Sequence, residues 1–168
     1  MVFVFLSFKK IKMKKIAVIL SVFITILGLY AFKPKNEEVK WMGFNEGYAL
    51  AKKKNKIMLV DVYTEWCGWC KRMDKDTYAK SSISSVLNDK YVSVKFNPEV
   101  EGVKYTYNGK TYDGPGLAAA ISNNSISGYP TTVFINPKSH KTKLEVGYKN
   151  ESDMAVIVVD IQKSLKAK

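Results

Sequence analysis

Cys67 and Cys70, in the stretch Trp66-Cys67-Gly68-Trp69-Cys70-Lys71, are the two cysteines of this chain of 168 residues. Such a pair can staple a fold, hold a metal or exchange electrons. A bond between residues three positions apart closes a very small loop and removes little entropy from the unfolded chain, so it would stabilise almost nothing as a staple. A structural metal site wants a tetrahedron of cysteine, histidine or carboxylate ligands. Beyond the pair the chain offers a single histidine, His140, in the polar turn Pro137-Lys138-Ser139-His140-Lys141. Electron exchange needs only the two sulfurs, one as nucleophile and one as resolver.

The elements around the pair favour that chemistry. Ile57 to Tyr63 is a nearly continuous apolar run of strand length, which suits a strand buried on both faces. Lys71 to Ala79 has helix-forming composition, so Cys67 falls at a strand-to-helix turn. There the first-turn N–H groups and the helix dipole favour a thiolate on Cys67. Cys70, one turn further in, lies under it and can attack a mixed disulfide formed there.

The rest of the chain reads as one α/β domain. Trp41, Phe44, Tyr48 and Leu50 make a helical stripe ended by the polar run Lys52 to Lys56, and Ser81 to Asp89 is a further helical segment. Tyr91 to Phe96 alternates as a strand should, and Asn108-Gly109 between aromatic and β-branched residues predicts a hairpin. Asp113 and Pro115 open a short helix through Ile121. Thr131 to Ile135 and Thr142 to Val146 read as strands joined by a turn at Asn136-Pro137. Met154, Ile157, Val158, Ile161 and Leu165 line one face of a last helix, from about Ser152 to Leu165.

Ahead of this domain, residues 16 to 32 hold only Ser21 and Thr25 as polar residues, directly after a lysine-rich segment. That pattern reads as an export signal, with residues 1–32 either removed or kept as a membrane anchor. Leu29 stands where a cleavage site ending at Ala31 wants a small residue. Met13 would open an ordinary signal of this kind, as an alternative start to Met1. Residues 33–40, with Pro34, read as a linker, and residues 41–168 as the folded domain. The formal net charge of +12 suggests nucleic acid at first sight, but five of the lysines belong to the N-terminal segment. The others are dispersed and not interleaved with stacking aromatics, so no nucleic-acid partner is expected.

Four separated features resemble the thioredoxin superfamily, and within it the exported bacterial thioredoxin-related proteins. They are the segment from Val60 to Lys71 with Trp66 before Cys67, the acid Asp61 in an apolar strand, Lys95 in Val94-Lys95-Phe96-Asn97, and Pro130 before the strand at Thr131. The resemblance spans Trp41 to the end. It implies a thioredoxin-like α/β fold, a central mixed sheet flanked by helices, behind the hydrophobic signal or anchor helix. It also implies that Asp61 is buried and relays the proton of Cys70, that Lys95 lies beside Asp61 and tempers its charge, and that the bond before Pro130 is cis. Cys67, Cys70, Asp61 and Lys95 are then the expected catalytic residues. Trp66, Gly68, Trp69, Tyr129 and Pro130 are the expected substrate contacts, the Tyr129 backbone pairing with an extended substrate segment.

No cofactor is expected beyond the reversible Cys67–Cys70 disulfide. The implied activity is thiol–disulfide exchange on protein substrates in the periplasm, by a soluble or inner-membrane-anchored protein, with residues 16–32 touching the membrane if uncleaved. Reduction of exported proteins, driven by an upstream membrane electron donor, is the first reading. Disulfide oxidation or isomerisation is the alternative, as is a non-catalytic anchored module that binds a partner or Cu(I), with Met73 the nearby soft ligand. Gly68-Trp69 departs from the Gly-Pro of the best-known reductases, so the direction of electron flow is not inherited. The turn-rich segment 98–116 is longer than the minimal fold requires, and Tyr105, Tyr107 and Tyr112 are expected to shape partner recognition.

Overall fold

The structure, a computed structural model, describes residues 37–166; the expected signal or anchor of residues 1–32 lies outside them. Helix α1 is Phe44–Lys54 and strand β1 Ile57–Val62. Helix α2, Gly68–Met73, runs directly into a π-helical turn, Asp74–Tyr78. Then come α3, Ser81–Lys90, and β2, Tyr91–Phe96, followed by the short hairpin β3, Tyr105–Tyr107, and β4, Lys110–Tyr112. Helix α4 is Gly114–Ser122, β5 Thr131–Ile135, β6 Thr142–Val146 and α5 Glu151–Lys166. No helix among the described residues is long and apolar enough to cross a membrane.

The main sheet has the order β2-β1-β5-β6. β1 pairs with β2 in parallel and with β5 antiparallel, and β5 pairs antiparallel with β6. Central β1 is buried at all six positions, which is why its sequence is apolar throughout except for Asp61. The pleat sends alternate side chains to opposite faces. Met58, Val60 and Val62 pack on one face with Phe44 and Tyr48 of α1 and Leu117 and Ile121 of α4. Ile57 and Leu59 pack on the other with Met73, Tyr78, Ile83 and the apolar face of α5. By the same alternation Asp61 belongs to this second face, beneath the helix that carries the cysteines.

Three local readings differ from expectation. Lys52, Lys53 and Lys54 extend α1 rather than ending it, since lysine is a good helix former and keeps its charge in water; the stop comes from Asn55 in the left-handed conformation at φ 51°. Trp41 and Met42 precede the helix, and Met42 adds a parallel bridge to Val94 at the outer edge of β2. Val39 is already buried in the core, so packed chain begins slightly before Trp41.

The hairpin corrects a functional expectation. Tyr105 and Tyr107 are buried, their rings edge-on to Phe44 at 6.1 and 6.2 Å, and Tyr105 also meets Phe96 at 5.1 Å. They extend the core beneath α1 and do not present a recognition surface; of the three tyrosines only Tyr112 is partly exposed. α4 is seated beside the chain after β2 by Gly114, where an added Cβ would lie 2.0 Å from the Pro98 carbonyl oxygen. Asp113 caps this helix by accepting a hydrogen bond from the Gly116 N–H at 2.8 Å.

Candidate active site

Cys67 is the residue on which α2 begins. Its N–H donates to the Thr64 carbonyl at 3.2 Å, and its Sγ accepts the Cys70 N–H at 3.1 Å. A sulfur in this position receives the N–H and dipole that stabilise negative charge. Cys67 and Cys70 are joined as a disulfide, S–S 2.06 Å, and both are buried. Gly68 between them is exposed, with room for an approaching chain, since nothing lies within 4 Å of the place of its absent Cβ.

The two tryptophans stand out from the surface on either side. Trp66 is 69% exposed; its indole N–H donates to Glu99 at 3.0 Å and its ring meets Tyr129 edge-on at 5.9 Å. Trp69 is 55% exposed and lies 5.5 Å from the Tyr148 ring. The Arg72 guanidinium covers both of these rings, at 5.3 and 5.6 Å, and is held by Asp76 at 3.2 Å. The pair therefore opens between two aromatic walls, each fixed by a charged group.

Register places the proline loop. Val62 pairs with Thr131, so the residues before Thr131 meet the same sheet edge as the loop from Val62 into Cys67. The Tyr129–Pro130 bond is cis. The Pro130 carbonyl is taken by the Gly147 N–H at 2.8 Å; the Tyr129 peptide groups make no backbone hydrogen bond among the described residues. A groove of about 420 Å³ runs from Tyr129 and Glu99 along α4, past Ala118 and Ile126.

On the sheet face that α2 covers lies an ion-pair cluster. Asp61 is buried to 1%, and Lys95, opposite it in the β1–β2 register, donates from Nζ to Asp61 Oδ2 at 2.6 Å. Lys95 Nζ also donates to Asp74 Oδ1, and it lies 4.9 Å from the Trp41 ring, 5.1 Å from that of Tyr63 and 5.7 Å from that of Tyr78. Burial pushes the Asp61 carboxyl above the ordinary carboxylate range, and Lys95 offsets part of that rise. For Lys95 burial disfavours the charge, but Asp61 and Asp74 together outweigh it and hold the ammonium above its usual value. Asp61 Oδ1 has no hydrogen-bond partner among the described residues, so that oxygen is free to take a proton.

Asp74 was not anticipated from the sequence. It stands four residues after Cys70, one helical turn along the same face, and that spacing was the available signal. Glu99 and Tyr148 were missed because each joins the site from a separate loop, and Arg72, in α2 itself, because its role depends on the Tyr148 ring brought beside Trp69. Met73, the soft ligand of the copper reading, is buried in the core with Ile57 and Leu59. Among the described residues no cluster of histidine, cysteine and carboxylate could hold a metal.

With this geometry in place, a family model described as Thioredox_DsbH, protein of unknown function, DUF255, matches residues 23–164. The chain belongs to the Thioredox_DsbH family. Members and neighbours of this kind place it in the thioredoxin superfamily. Among curated proteins it is 26% identical over 116 residues to an uncharacterized protein of Caenorhabditis elegans, covering 66% of this chain and 14% of that one. It is also 26% identical over 113 residues to spermatogenesis-associated protein 20 of Homo sapiens, covering 64% of this chain and 12% of that one. The match thus spans only a small part of the length of these relatives.

Solved structures agree on the fold. A DsbH oxidoreductase superposes with a TM-score of 0.53 at 16% identity, covering 79% of this chain and 88% of that one. A putative disulphide-isomerase from Bacteroides thetaiotaomicron gives 0.55 at 24% identity, with 77% and 93% covered. A thioredoxin from Thermus thermophilus gives 0.53 at 18%, with 76% and 87% covered. The Thioredox_DsbH chain accordingly has a thioredoxin-like α/β fold carrying a C-x-x-C pair at the strand-to-helix turn, an arrangement suited to thiol–disulfide redox chemistry.

Proposed function

We propose that this protein is a thiol–disulfide oxidoreductase that reduces disulfides of exported proteins. The observation that carries the reading is the Cys67 sulfur at the start of a helix, accepting the Cys70 N–H at 3.1 Å, with the unpartnered oxygen of buried Asp61 on the sheet face that helix covers. In the reduced state Cys67 is the thiolate. It attacks one sulfur of a substrate disulfide, the substrate S–S bond breaks, and the other substrate sulfur leaves as a thiolate and takes a proton from solvent. Cys70 then gives up its proton, attacks Cys67 Sγ and displaces the second substrate sulfur as a thiolate, which also takes a proton from solvent. Two electrons and two protons have passed to the substrate, and the Cys67–Cys70 disulfide remains.

Asp61 is the group proposed to receive the Cys70 proton. Its raised affinity for protons suits that role, since a carboxylate with an ordinary pKa would be a poor base near neutral pH. Lys95 keeps the ionised form from becoming too costly in the interior. Trp66, Gly68, Trp69 and the Tyr129-Pro130 loop form the proposed substrate ledge, with the unengaged Tyr129 backbone available for strand-like pairing. A dithiol donor, proposed to sit in the membrane upstream, restores the reduced pair. The basic segment and apolar run of residues 16–32 support export.

Reduction of insulin by the full chain tests the reading, with Cys67→Ser as control. Thiol-dependent turnover that vanishes in Cys67→Ser is expected; equal rates for the two chains would overturn it. Gly68-Trp69 between the cysteines keeps a second reading open, disulfide oxidation or isomerisation. A reduction potential near the thioredoxin value, ~−270 mV, is expected for a reductase, and one near ~−120 mV would assign an oxidase instead.

A further inference from the structure

The two ends of the sheet differ in charge. Parallel β1 and β2 begin together at Ile57 and Tyr91 and end together at Val62 and Phe96, roughly 20 Å further along. The redox pair follows Val62, and the segments there carry exposed Glu65, Glu99 and Glu101 balanced by exposed Lys71, Arg72 and Lys104. The other end gathers the last turn of α1, the α3–β2 junction, the β5–β6 turn and the end of α5. Gln162 donates to the Lys90 carbonyl at 3.2 Å and Asn136 to that of Leu165 at 2.7 Å, which fixes the end of α5 there. Exposed Lys53, Lys54, Lys90, Lys138 and Lys163 and half-buried Lys56 crowd this end. The acids at this end are Asp89, 2.7 Å from Lys90, Asp160, 4.0 Å from Lys163, and Glu37 and Glu38 of the entering chain, Glu37 lying 3.7 Å from Lys40; the lysines outnumber them.

Apolar surface adjoins the lysines. A groove of about 660 Å³ lies between α3 and α5, lined by Val86, Val158 and Val159 and bordered by Lys90 and Lys163. Val159 is 49% exposed and Val156, three residues before it on α5, 63%. The chain also enters here. Asn88, near the end of α3, donates to the Glu38 carbonyl and accepts the Lys40 N–H, both at 2.9 Å. From there the chain runs parallel to β2 to its bridge at Val94. The described chain therefore begins at the basic end.

We propose that this lysine-rich end, with its valine groove, seats on an anionic lipid bilayer and holds Cys67 facing away from it. Lysine stems can lie along apolar surface while their ammonium groups reach lipid phosphates, and exposed valines enter the boundary between headgroup and acyl chain. A single strand of nucleic acid would match the charge, but its binding uses aromatic side chains on which bases stack, and none of the exposed residues named at this end is aromatic; the exposed valines have no use against phosphates of either strand or duplex. The proposal does not depend on which way electrons flow at the cysteines.

Amide exchange of the full chain tests it, on vesicles of phosphatidylcholine alone and of phosphatidylcholine with about one third phosphatidylglycerol. Residues 53–56, 88–91, 136–141 and 158–164 are expected to exchange at least ~five-fold more slowly on the anionic vesicles, and residues 64–72 equally on both. High salt should erase the difference. So should the combined change of Lys53, Lys54, Lys90 and Lys163 to Gln, with insulin reduction left at the wild-type rate. Equal exchange on the two vesicles, or slowing centred on residues 64–72, would overturn the proposal. Indifference to anionic vesicles with slowing by a single-stranded oligonucleotide would assign the end to nucleic acid instead.

Discussion

Asp61 links the chemistry of the site to its stability. Because burial raises its pKa, the native state binds a proton that the unfolded state has already released, over the window between the ordinary carboxylate value and the raised one. Stability therefore falls as pH rises through that window. Asp61→Asn should remove this slope and give a higher urea midpoint than wild type at pH 7 to 8, while slowing resolution by Cys70. The two effects are read separately, by denaturation at several pH values and by the lifetime of the mixed disulfide. Cys70→Ser should accumulate that mixed disulfide outright, visible by mass spectrometry as substrate joined to Cys67. An Asn variant with the same pH slope as wild type would show that another group titrates.

Neighbouring elements show why some of this was legible in the sequence and some was not. β1 could be read because a strand covered on both faces has nowhere to put polar side chains, so Asp61 stood out at once. Cys67 and Cys70 could be read because their spacing and the strand before them restrict what they can do. Tyr105 and Tyr107 were misread because a tyrosine-rich hairpin looks the same whether its rings face solvent or Phe44. Asp74 was overlooked because its partner, Lys95, comes from another strand 21 residues on. Tyr107→Ala should cost about 3 to 5 kcal/mol, as removal of a buried aromatic does, with kcat/KM on insulin unchanged in the folded fraction. Gly114→Ala should cost ~1–3 kcal/mol by overpacking, since the atom it meets is the Pro98 backbone and cannot rotate away. A urea midpoint at the wild-type value would show that α4 shifts freely.

Across the whole molecule, charge is sorted by the direction of the strands. Acids in the loops after β1 and β2 stand among Lys71, Arg72 and Lys104 around the redox pair, whereas lysines predominate where those strands begin. A disulfide flanked by basic residues should be reduced faster than one flanked by acids, and the difference should shrink as salt is added. Competition between two such peptides at low and high ionic strength measures it; no preference at low salt would mean that Lys71 and Arg72 cancel the acids. Glu99→Gln should weaken the preference and also loosen Trp66, whose indole it holds.

The position of those indoles has an optical consequence. Trp66 and Trp69 flank Cys67 and account for two of the three tryptophans in the chain. A disulfide in contact with an excited indole quenches it by accepting an electron, whereas a pair of thiols does so less well. Reduction should therefore brighten the intrinsic fluorescence of the folded protein, and Trp66→Phe or Trp69→Phe would divide the signal between the two rings. A reduced protein no brighter than the oxidised one would show that neither ring reaches the sulfurs; a brighter one would let the potential be titrated in a cuvette without a label.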